Sequence, residues 1–339
     1  MKIPTRKLLI LHSLLLSNFC FLGQSEFSAF TLSGKGVASP FATDYQALGI
    51  NPSNLDWDSE YEGKSITFGF SEFGASIFSD ALGKEDLRKN LRQEEFEALS
   101  SEEQDQMVLD FANSRLAVDL DLMSLGFHIN TENAGGFAFS IRDRADYFSI
   151  FGEQVAEIGV KGFESDYFQF LITEINDTIP NEGSANPDTL NNIQAVYTPP
   201  EDALNISKIL EGTQLNMSWI REYQLGYGKR VLSTEDYSIY GGIGLKLLTG
   251  TAFVRIQAEG GKTEAFSAAS PLFNIDYGEQ ATANPSAVEG GNFTPVGIGF
   301  GIDLGVSFAY RDKFKLSMSL TDIGSMTWDG NVYTLNDIL

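Results

Sequence analysis

Side chains that could act as nucleophiles or bind a transition metal are scarce in this sequence. It contains one cysteine, Cys20, and two histidines, His12 and His128. A thiol enzyme needs a reactive cysteine, and a zinc site usually takes several Cys or His ligands. A Ser-His-Asp triad would have to use one of the two histidines, and no G-x-S-x-G motif is present. The sequence therefore predicts a protein that is not an enzyme, with no catalytic residue, cofactor or metal site.

The first 25 residues have the layout of a signal peptide. Basic residues come first, and an apolar stretch follows over residues 8–22. This stretch is too short to span a membrane, and polar residues end it. We therefore expect export and removal of residues 1–25. Cys20 could instead mark a lipoprotein, but Asn18 and Phe19 are not the small residues that should precede a lipidated cysteine.

Composition excludes several classes of protein. The 339 residues include 23 basic and 46 acidic side chains, for a formal net charge of −23. Such a charge disfavours binding to nucleic acid, which needs a basic face. An apolar fraction of 42% is too high for a disordered chain. The mean hydropathy is −0.10, and no apolar run beyond the N-terminus is long enough for a membrane helix.

Long stretches of the chain alternate between apolar residues and small or polar ones. From Val296 to Tyr310, every even position is apolar, while the odd positions are mainly glycine. Successive side chains of a strand point to opposite faces, so this pattern predicts a strand with one wholly apolar face. It would measure roughly 50 Å, far more than a usual strand. Similar patterns predict strands over residues 64–79, 118–130, 135–151, 217–232, 236–258, 294–310 and 313–321.

The apolar faces allow two interpretations. In a soluble sandwich they would form the core, whereas in an outer-membrane barrel they would face lipid. Short and long connections alternate, which is typical of such barrels. The short turns lie at 131–134, 233–236 and 311–312, and the long connections cover 81–117, 152–216 and 259–293. We therefore predict an all-β, antiparallel, up-and-down transmembrane barrel in the outer membrane of a Gram-negative cell.

The strand count predicts an incomplete barrel. Seven strands are expected, whereas closed single-chain barrels have an even number. The last residues also lack the aromatic strand that usually completes such a barrel. We expect residues 64–339 to form a barrel that is truncated at the C-terminus, or a sheet that is open as written. Residues 324–339 could at most begin another strand.

The long connections are acidic and partly helical. Residues 152–216 contain far more acidic than basic side chains, which indicates solvated loops more than a cation site. Apolar side chains recur at helical spacing over residues 84–116. Ser100 and Glu103 have the spacing of a capping box at the start of a second helix there.

A short motif lies before the first predicted strand. Asp44, Ala47, Asn51, Pro52 and Leu55 match a D-x-x-A-x-x-x-N-P-A-x-L pattern, except that serine follows the proline. This stretch resembles one near the mature N-terminus of FadL-like outer-membrane channels, and it also occurs in PorV-like barrels of Bacteroidota. Shorter stretches resemble motifs of the same group or of a related Bacteroidota barrel family of unknown function; they lie at residues 219–223, 244–250 and 321–324.

The resemblance implies that residues 26–63 fold into the barrel lumen as a hatch, with Asp44, Asn51 and Pro52 in the hatch motif. Independently of the resemblance, Pro52 prevents a helix from continuing and Asn51 favours a turn. A hatch would also explain a face rich in glycine, since glycine allows close approach.

Two functions follow as expectations. The first is a FadL-like passive channel for hydrophobic or amphiphilic small molecules. The second is a non-enzymatic, secretion-associated barrel that binds secreted or surface proteins, as a PorV-like scaffold or shuttle does. Both would have outer-membrane lipid as a partner. An apolar pocket beside the hatch would favour transport, and a filled lumen with large ordered outer loops would favour scaffolding.

Overall fold

Two antiparallel sheets, one of nine strands and one of three, form most of the fold. The structure is a computed structural model. It describes residues 28, 31, 39–57, 66–81, 100–131, 133–182, 192–270, 294–311 and 313–335. The signal peptide predicted over residues 1–25, and the first half of the helical region predicted from residue 84, lie outside the described residues.

The described ranges contain strands, short α-helices and 3-10 helices. The strands are β1 (Ile66–Ser79), β2 (Arg115–Thr131), β3 (Gly135–Ile150), β4 (Phe170–Thr173), β5 (Thr178–Pro180), β6 (Ile193–Tyr197), β7 (Gln214–Ser233), β8 (Tyr237–Glu259), β9 (Lys262–Ala269), β10 (Gly297–Tyr310), β11 (Phe314–Trp328) and β12 (Asn331–Leu335). The α-helices are α1 (Ser101–Phe111), α2 (Glu153–Lys161) and α3 (Ile206–Ile209), and the 3-10 helices are Asp44–Ala47, Pro52–Asp56 and Gly162–Glu164.

The larger sheet follows chain order. Its main path is β1-β2-β3-β7-β8-β10-β11, with every neighbouring pair antiparallel. Short turns join β2 to β3, β7 to β8 and β10 to β11 at one end of the sheet, which we call the turn end. Long connections lie at the opposite end, which we call the loop end. The all-β class and the sorting of the connections are confirmed. Within the described residues the main path ends at β1 and β11, so closure into a barrel remains a prediction.

Two strands of this sheet lie where the sequence predicted other structure. β9 occupies the start of the expected connection over 259–293, and it pairs with the last part of β8. β12 pairs with the other side of β9. The reason is the length of β8, which extends beyond the start of β10 at Gly297 and needs another partner there. Residues 324–339 do contain a further strand, β12, and they also contain the end of β11, which continues past its predicted end at residue 321.

The apolar face of the larger sheet is exposed, and its small, polar face is buried. On β10, Ile298 and Phe300 are 66% and 62% exposed, whereas Asp303 and Ser307 are fully buried. A soluble sandwich buries its apolar face. This burial pattern therefore contradicts the sandwich interpretation for the strands that the structure describes.

Two residues lie on a different face from the one that strict alternation predicted. Strict alternation over residues 118–130 would place Met123 on the apolar face with Leu125, but Met123 is 2% exposed and lies on the buried face. A register shift between these two residues inserts one extra residue into β2, and such a bulge changes which face a side chain occupies. Val296 was expected to start the apolar face of β10. It precedes the strand and is buried, with its N–H donating to the carbonyl of Gly250 at 2.8 Å.

The helices lie in the long connections at the loop end. α1 confirms the second helix expected before β2. The Ser100 hydroxyl accepts the Glu103 N–H at 3.4 Å, and the Glu103 carboxylate accepts the Ser100 N–H at 2.9 Å, so the capping box is present. α2 follows β3 in a region predicted only as a loop. Of the helices described, none combines the length and the apolar character needed to cross a membrane.

Candidate functional site

Residues 39–57, which we call the inner segment, lie on the buried face of the larger sheet. They belong to the stretch predicted as a hatch. The 3-10 helix Pro52–Asp56 and its N-cap contact five strands, from β2 to β10; the contacted residues are His128, Gly136, Gly228, Gly242 and Gly305. Five flat strands would span about 19 Å, whereas this helix is about 10 Å long. The sheet must therefore curl around the inner segment.

Glycine makes this close approach possible. A Cβ atom at Gly136 would overlap the backbone of Leu55, and a Cβ atom at Gly228 or Gly242 would overlap the backbone of Pro52. Several glycines of the alternating pattern are therefore positions where the inner segment touches the sheet. Larger side chains there would push it away.

A cluster of buried polar side chains fixes the inner segment to β10, and its centre is Ser307. The amide of Asn51 donates to the Ser307 hydroxyl at 3.2 Å, and the hydroxyls of Ser53 and Ser307 are 2.7 Å apart. Ser307 donates to the side-chain oxygen of Asn54 at 2.6 Å. All four side chains are at most 1% exposed. Because buried polar groups are costly unless they are paired, each member depends on the others.

The structure places the three predicted motif residues in two groups. Asn51 is the N-cap of the helix Pro52–Asp56, and its side chain accepts the Ser53 N–H at 3.1 Å. Pro52 occupies the first position of that helix, where its fixed φ angle is favourable. Asp44 starts the other 3-10 helix, at a φ angle of 48°, and takes no part in the cluster around Ser307. Burial raises the pKa of the Asp44 carboxyl above its ordinary value.

The other 3-10 helix of the inner segment, Asp44–Ala47, contacts the first two strands. The ring of Tyr45 lies against Gly69 and Gly126, and its hydroxyl donates to the carboxylate of Glu72 at 2.7 Å. Burial, and then the hydrogen bond to Glu72, raise the pKa of the Tyr45 phenol. Tyr45 therefore holds the start of the inner segment against β1 and β2.

Ion pairs form a layer on the loop-end side of the inner segment. The ammonium nitrogen of Lys246 is 2.7 Å from an oxygen of Asp322, 3.3 Å from Asp303 and 3.8 Å from Glu222. Glu222 also lies 3.9 Å from Arg144. The side chains of Lys246, Glu222 and Asp303 are at most 2% exposed. Buried charges persist only when they are paired, so this layer connects β3, β7, β8, β10 and β11.

An apolar cavity of about 310 Å³ lies between α1 and α2 at the loop end. Its lining residues are Met107, Phe111, Phe151, Val155, Ala156, Gly159 and Val160. A Cβ atom at Gly159 would meet no other atom within 4 Å, so this glycine borders open space. The volume is within the range of small-molecule sites.

Lys161 connects the two helices that form the cavity. Its ammonium nitrogen lies 2.7 Å from Asp105 on α1 and 3.1 Å from Asp166. Burial lowers the pKa of Lys161, but the hydrogen bonds to both carboxylates outweigh burial and raise the pKa above its ordinary value.

The comparisons with known proteins concern the second half of the chain. Residues 193–338 match a family of unknown function, DUF5723. The matched region runs from β6 to β12 and covers less than half of the chain, so it excludes the inner segment and both helices of the cavity. Neither a curated protein nor a solved structure was found to match.

Some residues of the site were missed by sequence reasoning. Ser307 was recognised only as one of several small residues on β10. Lys246, Glu222 and Asp303 stood in the alternating patterns, and each was a charge on the glycine-rich face of its strand. A charge on that face was the available signal for the ion-pair layer. The signal for α2 was the spacing of its apolar residues, Val155 to Val160.

Proposed function

We propose that the protein is an outer-membrane β-barrel that passively carries hydrophobic or amphiphilic small molecules, as the resemblance to FadL-like channels implies. The observation that carries this proposal is the reversed burial of the larger sheet. Apolar side chains such as Phe70, Leu245 and Phe300 are each at least half exposed. Exposing such a continuous apolar face to water would be very unfavourable, whereas hydrocarbon is its natural surrounding.

The lengths of the strands support the same assignment. β3 and β7 contain 16 and 20 residues, and a strand of about 9–11 residues crosses a bilayer when it is tilted. On the apolar face, an aromatic contact between Phe137 and Tyr227, with ring centroids 4.7 Å apart, lies near the turn end. Trp219 and Tyr147 lie farther along the same strands towards the loop end. Aromatic side chains at two heights are typical of the two membrane interfaces.

In this proposal the cavity between α1 and α2 is the first binding site for the molecule. It is apolar and lies at the loop end, which faces outward in barrels of this type. The inner segment and the ion-pair layer close off the sheet face beyond it with polar and charged groups. An apolar molecule would therefore leave the protein towards the membrane before it reached the ion-pair layer.

A protein-binding barrel is the second candidate. The contacts of the inner segment, and the ion pairs beside it, support a filled interior more than an open pore. The outer connections are also extensive and ordered within the described residues, and they expose Ile175, Tyr197 and Ile206 by 78%, 44% and 54%. Exposed apolar side chains on an ordered surface favour contact with another protein.

Entry of a hydrophobic dye into intact cells would test the channel. N-phenyl-1-naphthylamine is a suitable dye because an intact lipopolysaccharide leaflet excludes it. Cells that produce the full chain should take up the dye faster than cells without it. The variant Gly159→Leu, which adds a side chain at the cavity lining, should lose this gain, whereas the control Gln106→Leu, at an exposed position outside the lining, should retain it. Equal amounts of protein in the outer membrane must be verified by heat-dependent gel mobility.

Two results would each overturn a part of this proposal, the channel itself or the use of the cavity. One is correctly inserted protein that does not change dye entry. The other is Gly159→Leu with unchanged entry, which would remove the cavity from the route. Purification of a stable complex with a secreted or surface protein, together with unchanged dye entry, would favour the second candidate.

A further inference from the structure

The helices that form the apolar cavity carry a strong excess of negative charge. Residues 100–114 and 152–166 contain eight acidic side chains and a single basic one, Lys161. The ammonium group of Lys161 is itself paired with Asp105 and Asp166, so its charge is already balanced by two carboxylates. The surroundings of the cavity are therefore negative in sign.

Two acidic residues of α1 lie beside the cavity lining, which itself contains no acidic side chain. Glu103 and Asp110 are four residues before and three residues after Met107, which places them on the same side of α1. On α2, Glu153 lies three residues before Ala156, and it lines a separate polar pocket with Lys208 and Glu211. Acidic residues of both helices therefore flank the apolar cavity, and Lys161 joins the two helices through Asp105.

We propose that the cavity takes amphiphiles with a cationic head group, and that it disfavours those with a carboxylate or sulfate head. This inference rests on the proposed function, and it names the class of molecule that the cavity would capture. The apolar lining accepts the hydrophobic part of the molecule, and the acidic helix faces attract the head group.

The physical basis is charge complementarity at short range. At physiological ionic strength the Debye length is about 8 Å, so charges on two neighbouring helices act on a head group at the cavity opening. A low-dielectric wall on one side concentrates this field. On the buried face of the sheet, Asp119 and Asp146 are paired in register on β2 and β3, and Arg144 acts electrostatically on Asp119.

Photolabelling of the full chain in phosphatidylcholine nanodiscs would test the inference. Three alkyl diazirines of equal chain length would be used, with a trimethylammonium, a hydroxyl or a carboxylate head. Labelled peptides would be identified by mass spectrometry. We expect the trimethylammonium probe to label the peptides around Met107 and Val155 roughly tenfold more than the carboxylate probe at low salt, and the hydroxyl probe to give an intermediate yield.

Two variants distinguish the contribution of the apolar cavity from that of the acidic residues around it. Gly159→Leu should abolish labelling of these peptides by all three probes. The triple variant Glu103→Gln, Asp110→Asn and Glu153→Gln should bring the yields of the charged probes closer together, while labelling by the hydroxyl probe stays unchanged. A rise in salt should have the same effect as the triple variant.

The outcomes distinguish the inference from the function on which it rests. Equal or stronger labelling by the carboxylate probe would overturn the charge preference and leave the cavity as a binding site. Labelling by no probe, or labelling that Gly159→Leu does not affect, would overturn the cavity as a capture site and the charge preference together.

Discussion

The guanidinium group of Arg221 donates two hydrogen bonds of 3.0 Å to the carboxylate of Asp143, and this pair lies on the apolar face of the larger sheet. The two residues are opposite each other in the register of β3 and β7. Tyr223 and Leu225 follow on the same face of β7. In the sequence, Arg221 interrupts the apolar positions of this strand. A lipid-facing charge is tolerated when its partner neutralises it at hydrogen-bonding distance.

Removing one member of this pair should destabilise the protein, whereas removing both should not. Arg221→Leu leaves the Asp143 carboxylate alone in an apolar belt, with an expected cost of about 3–5 kcal/mol. The double variant with Asp143→Leu should be nearly as stable as the original protein. Urea unfolding in lipid vesicles would measure the free energy of unfolding of the single and the double variant. A double variant as unstable as Arg221→Leu would contradict a lipid-facing position.

Loss of the Ser307 hydroxyl should loosen the inner segment. Ser307→Ala leaves Asn51, Ser53 and Asn54 without their common partner, and unsatisfied buried groups of this kind cost about 1–3 kcal/mol. The urea midpoint should fall accordingly. Ser124→Ala, at an exposed position in the bulge of β2, should change the free energy of unfolding by less than about 0.5 kcal/mol.

Adjacent glycines on β8 offer a direct test of the close approach. Gly242→Ala places a methyl group against the backbone of Pro52, whereas Gly241→Ala meets only Val231, at 3.5 Å. Gly242→Ala should lower the free energy of unfolding by about 1–3 kcal/mol, because it overpacks this contact. It should also expose the inner segment to chymotrypsin at Tyr45. Equal protease resistance of the two variants would show that the inner segment does not need a glycine there.

Two glycines of the cavity region should respond in opposite ways to alanine. Gly159 lies inside α2 with open space around it, so Gly159→Ala should stabilise the helix by about 1 kcal/mol. Gly162 ends α2 at a φ angle of 58°, a conformation that alanine rarely adopts. Gly162→Ala should therefore weaken the helix. Hydrogen exchange of the α2 amides would report both changes.

A fall in pH should destabilise the turn between β8 and β9. The N–H groups of Gly260 and Gly261 donate to the Glu211 carboxylate at 2.7 and 2.9 Å, and these hydrogen bonds lower the pKa of Glu211 below its ordinary value of 4.5. A lowered pKa in the folded state means that the contribution to stability is present above pH 4.5. It is lost as the pH falls through the lowered value.

Hydrogen exchange of Gly260 and Gly261 would follow this loss. Protection of the two amides, corrected for the intrinsic pH dependence of exchange, should decrease over that acidic range. In Glu211→Gln it should be weaker and independent of pH. A protection factor that does not change with pH in the original protein would contradict the role of the carboxylate.

The long strands and their faces could be predicted because alternation over many residues is a strong signal. It located β10 within a few residues, and it located the turn between β10 and β11. The bulge at Met123 could not be predicted, since one extra residue leaves the local composition unchanged while it reverses the faces beyond it. β9 was missed for a different reason. Its pairing depends on how far β8 extends past Gly250, which is a property of the sheet and not of residues 262–269.

The candidate site was only partly predictable. Asn51 and Pro52 were found through their motif, but their partner Ser307 is 256 residues away from Asn51, and a single sequence carries no signal for such a pairing. The cavity needed both α1 and α2, and only α1 has a capping box that marks its start. The charges of the ion-pair layer were visible, yet their convergence on Lys246 depends on the register of four strands.

The distance along the chain between Asn51 and Ser307 also constrains the order of assembly. The inner segment is synthesised before every strand that it touches, but its central hydrogen bonds form only after β10 has been made. The strands from β1 to β9 must therefore be synthesised while the inner segment still lacks this hydrogen-bond partner. If the sheet curved fully before the inner segment was in place, the segment could no longer reach its position on the buried face. We therefore expect the late contact between these two distant parts of the chain to limit the rate of folding.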